Sequence, residues 1–300
     1  MPLSRKCMIV VMMIFSFVFV AQDTSILALC QDAADQPSSS GRVFQDKDSP
    51  IAFGIQTSIE SKILKESREI NIYLPPSYQT KTEAKYPVIY LLDGGIDEDY
   101  HHQTGLVQFM VMYQLMPESI LIGIGNTDRQ RDMTHATIDE EEKKEIPTCG
   151  GSANFLKFIA TELKPFVESK YRTGDQNTII GQSLGALLVT EALVERPELF
   201  DNYVIVSPSL YWSRKQLVNR FANFLKTNQG LQKKIFLAIG KEHPLMHETM
   251  DQLVGDLRAH APDGIKWKYN PLPKETHATV MHRATYQAYE FLYGDQFKGL

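Results

Sequence analysis

"TIIGQSLGALLVTEALV", residues 178–194, joins an isoleucine pair suited to a buried strand to a run of helix formers. The junction is Gly181-Gln182-Ser183-Leu184-Gly185. It fits G-x-S-x-G, the strand-turn-helix elbow that holds a serine hydroxyl out of a parallel sheet in a strained backbone. Glycine and serine are common, so five residues can match by chance, and the flanks must decide. Residues 178–180 supply the strand. Leu187, Leu188 and Leu193 recur at helical spacing on the other side.

Outward from the elbow, short apolar runs alternate with amphipathic stretches. Residues 70–74 alternate like a strand and stop at Pro75-Pro76. Residues 88–92 and 119–124 are continuous apolar runs, as strands covered on both faces require. Residues 203–206, 235–239 and 265–269 read similarly. Between them, Phe155, Ile159, Leu163 and Phe166 keep helical spacing, as do Leu253 with Leu257 and Tyr286 through Leu292. This order predicts one α/β domain over residues 50–300, with a mostly parallel central sheet and helices on both faces. Ser183 then follows a middle strand, where open parallel sheets place their ligands.

The chain has 300 residues, 43% of them hydrophobic and 22% charged, enough for a sizeable core and against bulk disorder. A net charge of −5 without a basic run argues against a nucleic-acid partner. Arg5 and Lys6 precede an uncharged apolar run over residues 7–21. That pattern predicts a secretory signal within residues 1–30, hence export to the periplasm or medium, with no stable membrane span in the mature chain. A retained anchor is the competing reading. Leu27-Ala28-Leu29-Cys30 also resembles a lipoprotein box, although Leu29 is large for the position before a lipidated Cys30. Residues 31–49, with Pro37-Ser38-Ser39-Ser40-Gly41, read as a flexible leader. Processing would leave Cys149 alone of three cysteines, so no disulfide is expected. His101-His102 and the pair His243 and His247 lack the companions of a zinc motif, and neither metal nor organic cofactor is expected.

A serine needs a base. His277 follows the last expected strand by a short loop over residues 271–276, whereas His282 begins a helical pattern. Glu242 follows the strand at 235–239, and Asp251 lies further on in a helical pattern. An acid there would hold the imidazole tautomer and stabilise its charged form. Gly94-Gly95, directly after the strand at 88–92, permit close backbone approach. The Gly94 N–H, with that of Leu184, is expected to form the oxyanion hole, an ordinary tight turn being the alternative.

The chain resembles the esterase D-like branch of the α/β-hydrolases over residues 55–293. The resemblance rests on Tyr73-Leu74-Pro75-Pro76-Ser77-Tyr78, Tyr86-Pro87-Val88-Ile89-Tyr90-Leu91-Leu92-Asp93-Gly94 and Asn126-Thr127-Asp128-Arg129 with Arg131-Asp132-Met133-Thr134. Gly150-Gly151, the elbow, Ser207-Pro208-Ser209-Leu210-Tyr211-Trp212 and Glu275-Thr276-His277 complete it. That branch includes siderophore esterases, S-formylglutathione hydrolases, feruloyl and acetyl xylan esterases, and mycolyl transferases. The resemblance implies an α/β-hydrolase fold, Ser183 as nucleophile and His277 as base. It also implies that the loops at Asp93-Gly94, Asn126-Arg131 and Ser209-Trp212 line the substrate cleft, with Asp93, Gly95, Asn126, Arg129, Gln182, Tyr211 and Trp212 as candidate substrate contacts. Gln182 stands where the family usually has histidine, and Ala186 where it has glycine; both departures bear on substrate preference. The acid varies in this family, and some siderophore esterases work with a Ser-His pair.

The expected activity is hydrolysis of a small or polymer-linked ester by an exported serine carboxylesterase. An acyltransferase would differ in using an alcohol in place of water in its second step. A binding module on the same fold would not react with a fluorophosphonate.

Overall fold

Val88, Ile89, Tyr90 and Leu91 have no solvent exposure, and neither do Ile120, Leu121 and Ile122. Such runs must lie in the middle of a sheet covered on both faces. The computed structural model describes residues 52–294, so the expected signal and leader lie outside the described residues. Eight strands form one sheet: β1 (Ile55–Ser61), β2 (Glu66–Tyr73), β3 (Tyr86–Leu91), β4 (Ile120–Ile124), β5 (Thr173–Gln182), β6 (Asn202–Val206), β7 (Lys233–Lys241) and β8 (Ile265–Thr276). Their spatial order is β1-β2-β4-β3-β5-β6-β7-β8. The β1–β2 and β2–β4 pairs are antiparallel, and the others are parallel. This is the mostly parallel α/β-hydrolase sheet expected. The direction of chain progress reverses between β3 and β5, so a ligand crevice opens beyond their carboxyl ends.

Helix α1 (Tyr100–Met112) is followed by the short α2 (Arg129–Asp132) and α3 (Glu140–Glu145). Next, α4 (Ser152–Phe158) runs through a π-helical turn into α5 (Lys164–Lys170). The longer helices are α6 (Leu184–Glu195), α7 (Trp212–Thr227), α8 (Pro244–His260) and α9 (Val280–Tyr293). Val107 and Met110 of α1 share a core with Ala284, Ala288 and Leu292 of α9, packed on Leu91, Ile180 and Val206. Gly181, one residue beyond Ile180, points to the opposite face and meets α6: a Cβ there would stand 2.5 Å from the Gly185 carbonyl carbon. Helices therefore cover both faces. Among the described residues no helix is long and apolar enough to cross a membrane.

Strand β1 and helix α1 lie outside the expected pattern, and two further elements differ from it. Residues 271–276 continue β8 instead of forming a loop, with Thr276 paired to Lys241 after a register shift. Pro271 and Pro273 are tolerated because β8 is an edge strand and need not donate to a further neighbour. Helix α7 was not anticipated. Its Ser213, Arg214 and Lys215 have φ of 51°, 54° and 64°, which interrupts the pattern before Leu217, Val218, Phe221, Phe224 and Leu225 bury a regular stripe.

Candidate active site

Three strands end in a residue forced to positive φ: Asp93 at 53° after β3, Ser183 at 58° after β5 and Ser207 at 44° after β6. Non-glycine residues occupy that region at a cost, and such strain gathers at functional sites. At Ser183 the cost is met locally. The Ser183 N–H donates to Val206 O at 3.0 Å, and its carbonyl accepts from Leu187 and Ser209 at 3.0 and 3.1 Å. Gly181 lets α6 fold back at once over β5, because any Cβ there would collide with Gly185. Leu184 opens α6, so its N–H has no partner within the helix and lies beside the serine.

Ser183 Oγ lies 3.4 Å from Ser209 Oγ, a buried hydroxyl that is also hydrogen-bonded to Tyr211. Burial pushes the Tyr211 phenol up to about 12, so it remains protonated. His277 stands just past β8, and its Nδ1 is 2.9 Å from Glu242 Oε1 at the end of β7. The Gln182 amide, adjacent to the serine, donates to the His277 main-chain carbonyl. The Glu242 N–H in turn donates to His247 Nε2 at 3.3 Å, and His243 Nδ1 accepts from Leu245 N as the cap of α8. Both histidines of that pair thus serve backbone groups. Among the described residues no group of three metal-ligating side chains is present.

On the other side of the serine, Arg129 makes a two-pronged pair with Asp93, at 2.6 and 2.9 Å, and also reaches Gln182 O at 3.4 Å. Asn126 Nδ2 donates to Asp93 Oδ1 at 2.7 Å and to Glu98 Oε1 at 2.6 Å. A continuous polar chain therefore runs Glu98–Asn126–Asp93–Arg129–Gln182–His277–Glu242 around the elbow. Burial, with nearby Asp93, pushes the Asp99 carboxyl up to about 6.

The geometry brings together Ser183, His277, Glu242, Leu184, Asp93, Asn126, Arg129, Gln182 and Tyr211. It does not bring in the alternatives: Asp251 is exposed on α8, and His282 is exposed on α9 with its ring against His102 at 3.8 Å. Two expectations need correction. The Gly94 N–H donates to Ile124 O at 3.0 Å and is not free for an oxyanion. Gly94 is glycine because a Cβ would stand 2.4 Å from Gly123 Cα. Trp212 is 2% exposed, with its indole N–H on His135 O, so it backs the cleft wall rather than facing the cleft. Glu98, which accepts from the Gly95 N–H at 2.7 Å, was not singled out in the sequence, whereas Ser209 belongs to the loop that the resemblance assigned to the cleft. A Gly-x-x-Glu spacing was the available signal for Glu98.

A serine in a strained elbow, an imidazole oriented by a carboxylate and a free helix N–H can together support nucleophilic acyl transfer. Comparison with known proteins agrees with that chemistry. The profile of the family described as "Putative esterase" matches residues 61–280. The ferri-bacillibactin esterase BesA of Bacillus subtilis is 28% identical over 248 residues, covering 72% of this chain and 82% of that protein. The crystal structure of an IroE-like serine hydrolase from Shewanella oneidensis superposes with a TM-score of 0.74 at 30% identity, covering 81% of this chain and 80% of the other. The BES protein from Bacillus cereus gives 0.73 at 25% identity, with 83% and 98% covered.

Proposed function

Because the chain belongs to the esterase family of the α/β-hydrolases, with ester hydrolysis as its activity, we propose that it is an exported serine carboxylesterase working through Ser183, His277 and Glu242. The observation that carries this reading is the 2.9 Å contact between His277 Nδ1 and Glu242 Oε1 beside a serine elbow. Ser183 Oγ turns from Ser209 to His277 and attacks the ester carbonyl, while His277 Nε2 takes its proton. His277 gives that proton to the departing alcohol. Water then releases the acyl group by the same route. Glu242 holds the Nδ1–H tautomer and stabilises the imidazolium. Leu184 N–H is one oxyanion donor, and Gly95 N–H, next along the loop from Gly94, is the other.

The substrate we infer is a siderophore-type ester, on the strength of the relative named for ferri-bacillibactin. Export rests on Arg5, Lys6 and the apolar run that follows. The test is a hydrolysis screen of catecholate trilactones, with and without iron, beside feruloyl esters, acetylated sugars and acyl esters of graded length. Turnover of the trilactones well above the others is expected. Preference for any other class removes the siderophore assignment.

A further inference from the structure

Neither glycine N–H of the loop after β3 is open to a substrate. That of Gly94 goes to Ile124 O, and that of Gly95 goes to Glu98 Oε2 at 2.7 Å. The other Glu98 oxygen accepts from Asn126 Nδ2 at 2.6 Å, and the same nitrogen reaches Asp93 Oδ1 at 2.7 Å. Asp93 Oδ2 in turn lies 3.3 Å from where a Gly185 Cβ would stand, so this polar cluster abuts the elbow. On the reading above, in which Gly95 N–H completes the oxyanion hole, a carboxylate oxygen occupies that donor in the resting protein.

We propose that Glu98 is an internal competitor for the oxyanion hole, capping Gly95 N–H in the resting enzyme and giving way to the carbonyl oxygen of the substrate. The proposal rests on the Ser183–His277 reading above. Glu98 is suited to leave. Arg129 gives both of its strong bonds to Asp93, so it attracts Glu98 only through space and does not hydrogen-bond it. Ile96, Asp97 and Glu98 are exposed, which leaves the side chain room to swing outward. Burial raises its carboxyl above the ordinary range, against the opposing pull of its bonds to Asn126 and Gly95. Like charge on Asp93 adds to the cost of holding it in place.

A simpler role competes. The Glu98 N–H closes a turn on Gly95 O at 3.0 Å, and a glutamate there can cap the turn by reaching back to its first N–H. Cap and competitor predict opposite results when the side chain is removed.

The experiment measures the rate of labelling by a fluorophosphonate probe in the full-length protein, Glu98→Ala and Glu98→Gln, with thermal melts alongside. Labelling forms the Ser183 Oγ–phosphorus bond, expels fluoride and sends the serine proton to His277. The phosphoryl oxygen enters the oxyanion hole, so the rate reports whether its donors are free. A charged hydrogen bond of ordinary strength corresponds to about a 10-fold faster second-order rate in Glu98→Ala. A smaller gain is expected in Glu98→Gln, whose neutral amide is a weaker acceptor. Should Glu98→Ala not fold, the gain in Glu98→Gln carries the test alone. Slower labelling in Glu98→Ala that Glu98→Gln restores, or unchanged rates in both, overturns the proposal and leaves the cap. An unlabelled wild-type Ser183 overturns the nucleophile assignment itself, and this proposal with it.

Discussion

Glu242 Oε1 meets His277 Nδ1 at 2.9 Å across 35 residues of sequence, and the two side chains differ sharply in exposure. That of Glu242 is 4% exposed, whereas that of His277 is 34% exposed. A buried carboxylate thus fixes one edge of a ring whose body reaches the cleft. Charge developing on the imidazole is met by a group with little competition from water. Glu242→Gln keeps the shape and removes the charge. Steady-state kinetics should show kcat lower by roughly two to four orders of magnitude, with the fold intact by circular dichroism. Near-normal kcat would leave a Ser183–His277 pair as the working unit.

Gln182 acts on the same histidine from the other side, through its main-chain carbonyl. Its amide is thereby spent within the protein, and it anchors the His277 loop beside the nucleophile. Gln182→Leu removes the donor while nearly preserving volume. The expected result is kcat lower by about 10- to 100-fold, the cost of a displaced catalytic group, with KM little changed. A change confined to KM would instead make Gln182 a substrate contact.

The elbow and Glu242 could be placed from sequence because each follows a strand that short-range patterns reveal, whereas His277 was placed after a loop that is in fact the end of β8. Ser183 follows Ile179-Ile180 directly, and Glu242 follows Ile239-Gly240-Lys241. The central strands were equally plain, since burial on both faces writes continuous apolar runs. Strand β1 escaped because it is a largely exposed edge, and its residues carry little burial signal. Helix α7 had a clear stripe from Leu217 to Leu225, hidden by the irregular backbone at its start. Gly94 was misassigned for a tertiary reason: its close neighbour is Gly123, on a strand distant in sequence. Trp212 looked like a cleft residue because the family resemblance assigned its loop to the cleft, yet the partner that turns it inward, His135, sits 77 residues away.

Behind the elbow, Glu191 of α6 is buried and accepts from Ser152 Oγ at 2.8 Å. Burial pushes its carboxyl up to about 7, and burial also pushes neighbouring His135 down to about 4. A raised carboxyl means that the folded state holds its proton longer than the unfolded chain does. The Glu191 contribution to stability is therefore lost as pH rises from the usual carboxylate range through about 7. Glu191→Gln mimics the neutral acid. Thermal melts should find it close to wild type at pH 5 and more stable at pH 8, by about 2–6 °C. Equal shifts at both pH values would contradict the buried-charge account.

Export has its own readout. If the apolar run after Lys6 is a signal, mass spectrometry of the native protein should find a new amino terminus between about Ala21 and Asp35. An intact Met1 terminus on the cytosolic protein would contradict it.

The central claim is that Ser183 carries the acyl group, and its most direct test is the turnover of folded Ser183→Ala on an ester the wild type hydrolyses. The account predicts kcat lower by roughly three to six orders of magnitude, since loss of a nucleophile disables the whole unit. Wild-type turnover by a Ser183→Ala protein with an unchanged melting curve would contradict it.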